Sequence, residues 1–341
     1  MITRILAAAA LAIGLMAGTP AITPALGQVS GTPQNPITSP ATADELELQK
    51  ALGGGRIAGR VSIPDGQSAS LIQPEGREWR DFHNRTLAWV GGIAVLGMLG
   101  IVAVFYLGKG RITIDAGRSG RTITRFNIVE RTAHWMTALS FIVLGLTGLN
   151  LTFGRHLLLP LVGPEAFATA TLWGKYAHNY LAFPFTLGIV VMLLVWVKDN
   201  IPNRTDVAWF KAGGGLLGSG HPEAGRFNGG QKMVFWITVL GGAAVAVSGY
   251  LLIFPFMWTD IAGQQLAHIV HSVISVLMIA AMIGHIYIGS LGMEGAFDAM
   301  GSGQVDLNWA KEHHSLWVQE EMGKARNTVS GPPGARAAGA D

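Results

Sequence analysis

The chain has 341 residues, of which 50% are hydrophobic and only 13% charged, with a mean hydropathy of +0.38. A soluble domain carries about 25% charged residues, and here the apolar residues gather in long uncharged runs, which excludes a soluble enzyme. The absence of cysteine excludes disulfides, Cys-ligated zinc, an iron–sulfur cluster on this chain and c-type haem attachment, while the net charge of +3 is scattered over loops, as membrane-orienting charge is, and not gathered into a nucleic-acid face.

The chain opens as a secretory signal over residues 1–27. Met1 to Arg4 give a short basic start, Ile5 to Met16 an apolar stretch too short to span, and Ala25-Leu26-Gly27 a cleavage site before Gln28; a retained N-terminal anchor is the alternative. Residues 28–85 read as a weakly structured periplasmic extension, broken by Pro33, Pro36, Pro40 and Gly53-Gly54-Gly55. One short helix is expected from Thr42 to Leu52, with Thr42 as N-cap and Glu45 at capping-box spacing. No chemistry is assigned to it.

Five uncharged runs follow, each long enough for the roughly 20 residues a helix needs to cross the hydrocarbon. They are Thr86 to Gly108, Thr132 to Gly154, Tyr176 to Val197, Met233 to Thr259 and Ile261 to Met293. Trp89, Trp135, Trp173, Trp196, Trp236 and Trp258 sit near run ends, where an aromatic belt belongs. The loop from Lys109 to Arg131 and the loop from Lys198 to Lys232 are rich in Lys and Arg, and the other two connections are not. The positive-inside rule puts the basic loops in the cytoplasm, with the N-terminus periplasmic after signal removal and the C-terminus cytoplasmic, in a bacterial inner membrane. The expected fold is therefore all-α, a multi-pass transmembrane bundle: an extra helix at 86–108, a four-helix domain at 125–319 and a disordered cytoplasmic tail at 320–341.

Four of the ten histidines fall in or at the ends of these spans. Ionisable groups inside a membrane are functional candidates, because an unpartnered one is costly. His271 and His285 share the fifth span; fourteen residues give about 21 Å of rise and about 40° short of four whole turns, so both project from one face. His178 can meet His271 near the outer surface, and His134 can meet His285 near the inner one. Two stacked imidazole pairs in a cysteine-free bundle describe two bis-histidine b-type haems. Histidines that merely bridge helices and bound zinc are the alternatives; two sites some 20 Å apart suit electron relay better than zinc. His268 lies three residues before His271 but shares the His285 face poorly. His313 and His314 read as an interfacial or partner-facing patch, and His83, His156 and His221 as solvated loop residues. Gly213-Gly214-Gly215 has neither the preceding strand nor the following Lys-Ser/Thr of a phosphate cradle.

Several segments together resemble the gamma subunit of membrane-bound formate dehydrogenase, a multi-helix cytochrome b. These are Glu130-Arg-Thr-Ala-His134-Trp135, Lys175-Tyr-Ala-His178, Asp199-Asn-Ile-Pro202, Phe227 to Trp236, His271 with Gly284-His285-Ile-Tyr287, and Asn308 to His314. The resemblance covers roughly Arg125 to Gln319 and is to the longer form, with an N-terminal extension and an extra first helix. It implies that His178 and His271 ligate a periplasmic-side haem b, and His134 and His285 a cytoplasmic-side haem b. It also implies a quinone beside the inner haem, contacted by Asn228, Gly230 and Gln231. The residues agree with that placement, since a polar Asn-Gly-Gly-Gln turn before a span offers amide donors and a close backbone approach; an ordinary interfacial turn is the plainer reading. Glu294, Asp298 and Asp306 are more acidic than the resemblance leads one to expect after the last helix.

The function so implied is a membrane-anchoring electron-transfer subunit with no catalytic residue of its own. It would take electrons from an iron–sulfur beta subunit, fed by a molybdenum- or tungsten-containing catalytic alpha subunit, and pass them to quinone. No nucleic acid is expected as a partner, only protein, quinone and membrane lipid. The cytochrome b subunit of a membrane NiFe hydrogenase or related reductase is the nearest alternative, and a haem-free anchor or transporter the alternative from another class. The chain shows no internal repeat, and its prolines fall mostly in loops, which argues against a transporter.

Overall fold

The computed structural model describes residues 76–215 and 220–329. The expected signal, the helix at Thr42 to Leu52 and residues 330–341 lie outside the described residues. Among the described residues, five helices are long and apolar enough to cross a membrane: α1 (Glu78–Lys109), α2 (Ile128–Leu157), α3 (Pro164–Trp196), α5 (Gly229–Ile253) and α6 (Ile261–Gly292), with a short helix α4 (Arg204–Lys211) between α3 and α5. The rest is small: strands β1 (Thr122–Thr124) and β2 (Gln304–Asp306), and helices α7 (Leu307–His313) and α8 (Ser315–Val329).

The helix ends follow capping chemistry more than charge. Asn127, Asn203 and Asn228 each cap a helix in a reciprocal box, with Glu130, Asp206 and Gln231 at the third position. Asp260 caps α6 by accepting from the Gly263 amide at 2.9 Å. Helix α3 begins at Pro164, after Gly163 at φ 79°, and so runs twelve residues ahead of the expected Tyr176 start. Lys175 bounded the uncharged run without ending the helix, because a long basic side chain can keep its charge outside the apolar layer. Helix α5 stops at Ile253, short of Thr259, where Pro255 and the left-handed Phe256 (φ 63°) break it. Residues 78–85 are helical within α1, and α8 extends through Val329, which corrects the expected boundaries at 85 and at 320. Cap and proline signals were there to be read; a run of uncharged residues marks hydrocarbon, not helix length.

α2 packs along α3, α5 packs on α3 and α6, and α1 lies along α6. The starts of α2 and α5 and the ends of α3 and α6 therefore gather at one end of the bundle, together with β1, β2, α4, α7 and α8. There β1 and β2 pair antiparallel, Thr122 opposite Asp306 and Thr124 opposite Gln304. The unexpected acidic residues are used inside the chain. Glu294 and Asp298 bind the Arg118 guanidinium at 3.2 and 3.3 Å. Asp306 accepts from the Ser119 and Gly120 amides and caps α7 through the Asn308 amide.

The same end is tied together by one buried carboxylate. Glu130 Oε1 accepts from Trp196 Nε1 at 2.8 Å and from Arg226 Nη2 at 2.6 Å, while Oε2 accepts from the Asn127 amide. Arg226 also binds Asp199 at 2.7 Å and donates to the Arg125 carbonyl at 3.0 Å. Removing one partner of a buried ion pair costs about 3–5 kcal/mol; Arg226 retains some solvent contact, so Glu130→Ala should cost about 2–3 kcal/mol. Asn127→Ala, which loses only a cap, should cost about 1 kcal/mol. Unfolding of both variants in detergent micelles tests this, and equal losses would mean that the carboxylate contributes only its share of the capping box.

Candidate functional site

The bundle brings four histidines together in two pairs. His134 of α2 faces His285 of α6 with ring centroids 6.3 Å apart and planes at 64°. His178 of α3 faces His271 of α6 at 6.1 Å and 62°. A metal–imidazole nitrogen bond of about 2 Å, with each nitrogen about 1.1 Å from its ring centre, puts two trans imidazole centroids about 6.2 Å apart. Both pairs have that spacing. Among the described residues no group of three or more His, Cys, Asp or Glu could hold a metal ion. The pairs therefore suit a metal whose remaining positions are filled by its own macrocycle, as in haem.

Hydrogen bonds set the tautomers of the outer pair. The Val245 carbonyl lies 3.0 Å from His271 Nδ1 and can only accept, so Nδ1 carries the proton. The Thr147 hydroxyl donates to the Val143 carbonyl at 2.8 Å, so its oxygen accepts from His178 Nδ1, also at 2.8 Å. Each ring is left with the bare lone pair of Nε2, the form in which imidazole binds a metal. Gly249 makes room for this arrangement: a Cβ there would stand 3.1 Å from His271 Cε1. In the inner pair His134 Nδ1 is buried with no hydrogen-bond partner. His268 is turned away toward α1, edge-on to Trp79 at 5.4 Å, and Trp79 stacks on His83 at 5.1 Å.

Asn228, Gly230 and Gln231 form the first turn of α5 at the His134–His285 end. Asn228 Oδ1 accepts from the Gln231 amide at 2.9 Å and Gln231 Oε1 from the Asn228 amide at 3.1 Å. Gln231 Oε1 also lies 3.4 Å from Arg125 Nη2. Both side-chain oxygens are thus engaged, and the amide nitrogens are the donors left for a ligand. The close approach that glycine permits here is used by the chain itself, since a Cβ on Gly229 or Gly230 would stand about 3 Å from the Trp209 ring of α4.

A second buried cluster at this end escaped the sequence reading. Arg125 is 2% exposed, and its guanidinium sits over the rings of Phe126, Trp309 and Trp317 at 5.1, 5.5 and 5.1 Å. Burial, and then the charge of Arg226, lower its pKa to about 9. His314 is fully buried, with Nδ1 on the Gly225 carbonyl at 2.8 Å, and burial holds its pKa well below the usual imidazole value. Burial, and then His221, lower that of His313 to about 4. These two residues are packing elements and not the interfacial patch expected from their polar surroundings. The helical spacing of Trp309, His313, His314 and Trp317 was the signal available. His221 is also no free loop residue, since its Nε2 binds Asp115 at 2.8 Å; His156 is exposed as expected but stands in the last turn of α2, and His83 lies within α1, half-buried and stacked on Trp79, so neither is in a loop.

Comparison with known proteins shows what the chain is similar to. The chain is 30% identical over 203 residues to a formate dehydrogenase cytochrome b556 subunit of Escherichia coli, covering 58% of this chain and 93% of that protein. It is 26% identical over 205 residues to the cytochrome b556 subunit of the nitrate-inducible formate dehydrogenase of the same species, covering 59% and 92%. The corresponding subunit of Haemophilus influenzae is 27% identical over 206 residues, covering 59% and 84%. Residues 125–303 match the prokaryotic cytochrome b561 family, a stretch that holds all four paired histidines and leaves α1 ahead of it. Because that match spans more than half of the chain, the chain belongs to the prokaryotic cytochrome b561 family.

Proposed function

We propose that this chain is the membrane-anchoring cytochrome b subunit of a formate dehydrogenase, and that it holds two haems b and delivers electrons to quinone. The observation that carries the reading is the recurrence of one imidazole-pair spacing at two depths of a single helix. His178 and His271 would hold the outer haem, and His134 and His285 the inner one. When bound, the two haems supply one-electron transfer across the bilayer between an iron–sulfur partner subunit and the quinone. The names of the relatives support formate dehydrogenase as the complex, with formate oxidised on a separate molybdenum- or tungsten-containing subunit.

The chain's own residues do the rest. Thr147 and the Val245 carbonyl fix ring orientation and leave Nε2 free for iron. The end carrying His134 and His285 also carries Arg111, Arg118, Arg121, Arg204 and Lys211, which by the positive-inside rule is the cytoplasmic end. The amide nitrogens of Asn228 and Gln231 would donate to a quinone carbonyl there, beside the Gly230 backbone. Quinone reduction at that end takes its protons from the cytoplasm, so formate oxidation outside and quinone reduction inside build a membrane potential.

Two experiments test this. His178→Ala or His271→Ala should remove about half of the bound haem, and His134→Ala or His285→Ala the other half, while His268→Ala keeps both. Pyridine haemochrome content of the purified variants measures it; loss of haem in His268→Ala with retention in His271→Ala would overturn the ligand assignment. Asn228→Asp and Gln231→Glu keep the capping oxygens and remove the amide donors, a cleaner change than leucine, which would also uncap α5. Each should keep full haem reduction by formate in the assembled complex but slow reoxidation by quinone about tenfold or more, the loss expected for one strong hydrogen bond. Wild-type reoxidation in stopped flow would place the quinone elsewhere.

A further inference from the structure

α4 has two unlike faces. Asp206 and Trp209, three residues apart, are buried. Asp206 is held there by Lys232 of α5, whose Nζ lies 2.9 Å from Oδ2 and 3.1 Å from the Ile201 carbonyl. Trp209 packs against the backbone of Gly229 and Gly230. The outward face carries Arg204, Val207 and Lys211, and Phe210 flanks it, half exposed, with one edge of its ring against Gly229. Val207 is 55% exposed, Phe210 50% and the preceding Ile201 58%. Apolar side chains on the outside of so short a polar-ended helix are unexpected in water. The charges on the same stripe are all positive. Arg204, Lys211 and the nearby exposed Lys198 form no ion pair with any carboxylate of the described residues, although Asp199 and Asp206 are close in sequence and are bound instead by Arg226 and Lys232.

The surface begins where the spanning segments end. α4 follows the end of α3 and precedes the start of α5 in the chain, and two flanking spans of bilayer-crossing length would set such a connecting helix near the boundary between hydrocarbon and headgroups. The flanking spans also expose apolar side chains near their ends, Leu194 on α3 and Met233 on α5. Apolar side chains flanked by unpaired cations at that level match one environment: the boundary between acyl chains and negatively charged phosphates.

We propose that the outer stripe of α4 is a membrane-interface docking surface for anionic phospholipid, with Ile201, Val207 and Phe210 entering the acyl boundary while Lys198, Arg204 and Lys211 bind headgroup phosphates. The buried Lys232–Asp206 pair fixes the helix so that this stripe stays outward. Lipid contact thereby bears on the turn that begins α5, because Trp209 joins the two. This surface is independent of the haem and quinone assignments.

The chain has no cysteine, so Val207→Cys gives a single labelling site on an exposed position of the full-length protein in nanodiscs. An environment-sensitive fluorophore there should be quenched by brominated phosphatidylglycerol at least about threefold more than by brominated phosphatidylcholine at equal mole fraction, a lower bound, since a single cation near an anionic surface contributes up to about 1 kcal/mol. Adding Lys198→Gln, Arg204→Gln and Lys211→Gln should bring that ratio to about one while quenching persists. A label at Leu194→Cys, on the flank of α3, should be quenched by both lipids and shows that the protein is inserted. With that control in place, no quenching at position 207 by either lipid would overturn the proposal, as α4 would then face water or protein. Equal quenching by the two lipids in the otherwise unaltered chain would overturn it as well, because the cations would then not select the headgroup.

Discussion

Helical phase is the constraint on which the rest of the molecule depends. Fourteen residues of α6 separate His271 from His285, and because that interval is nearly a whole number of turns both rings leave the same face. A single shift in register, such as one residue inserted between them, would turn one ring by about 100° and end the pairing. The neighbours are then prescribed. One helix must bring an imidazole to each depth, and α2 and α3 do so from antiparallel directions, His134 near the start of α2 and His178 in the first half of α3.

Phase alone would leave rings that could rotate, and the polar contacts around the outer pair remove that freedom. Each Nδ1 meets an oxygen that does not donate to it, so the proton sits on the side away from the partner ring. Two neutral rings with centroids about 6 Å apart, each with an unprotonated nitrogen to spare, gain little from one another and much from a Lewis-acidic metal between them. At the end of the bundle the problem is different, because backbone groups and charges of several helix termini must be satisfied at the edge of the hydrocarbon. Glu130 answers part of it by serving two helices and a loop at once. Arg125 answers another part without any carboxylate, by lying among aromatic faces.

Much of this was legible in the sequence, and the gaps have physical causes. The spans were readable from uncharged runs, and the pairing of the four histidines from helical geometry, because both depend on short-range periodicity. Helix limits were less so: Lys175 looks like an end and is not, whereas Gly163-Pro164 is a true start. The burial of His313 and His314 depends on Arg125 and Gly225, some 190 and 90 residues away in the chain, and no local pattern reports such a contact. The Asn228 to Gln231 turn was visible as a polar motif, but its use as a capping box under Trp209 required knowing that α4 folds back onto it. Glu294, Asp298 and Asp306 looked like unspent charge for the same reason.

The pairing of β1 with β2 bears on the order in which the protein can be made. Thr122 finds its partner only in Asp306, and Arg125 finds Trp309 and Trp317 later still. A chain synthesised from its N-terminus thus inserts all five long helices before the segments that seal their common end exist. Until β2, α7 and α8 have been made, the end of the bundle with His134 and His285 has no floor. The closing segment is also short and held largely by stacking and hydrogen bonds, so it can engage late without disturbing helices already seated in the bilayer. Biogenesis therefore has a natural interval between insertion and sealing, and it falls at the end nearer the cluster of basic loops.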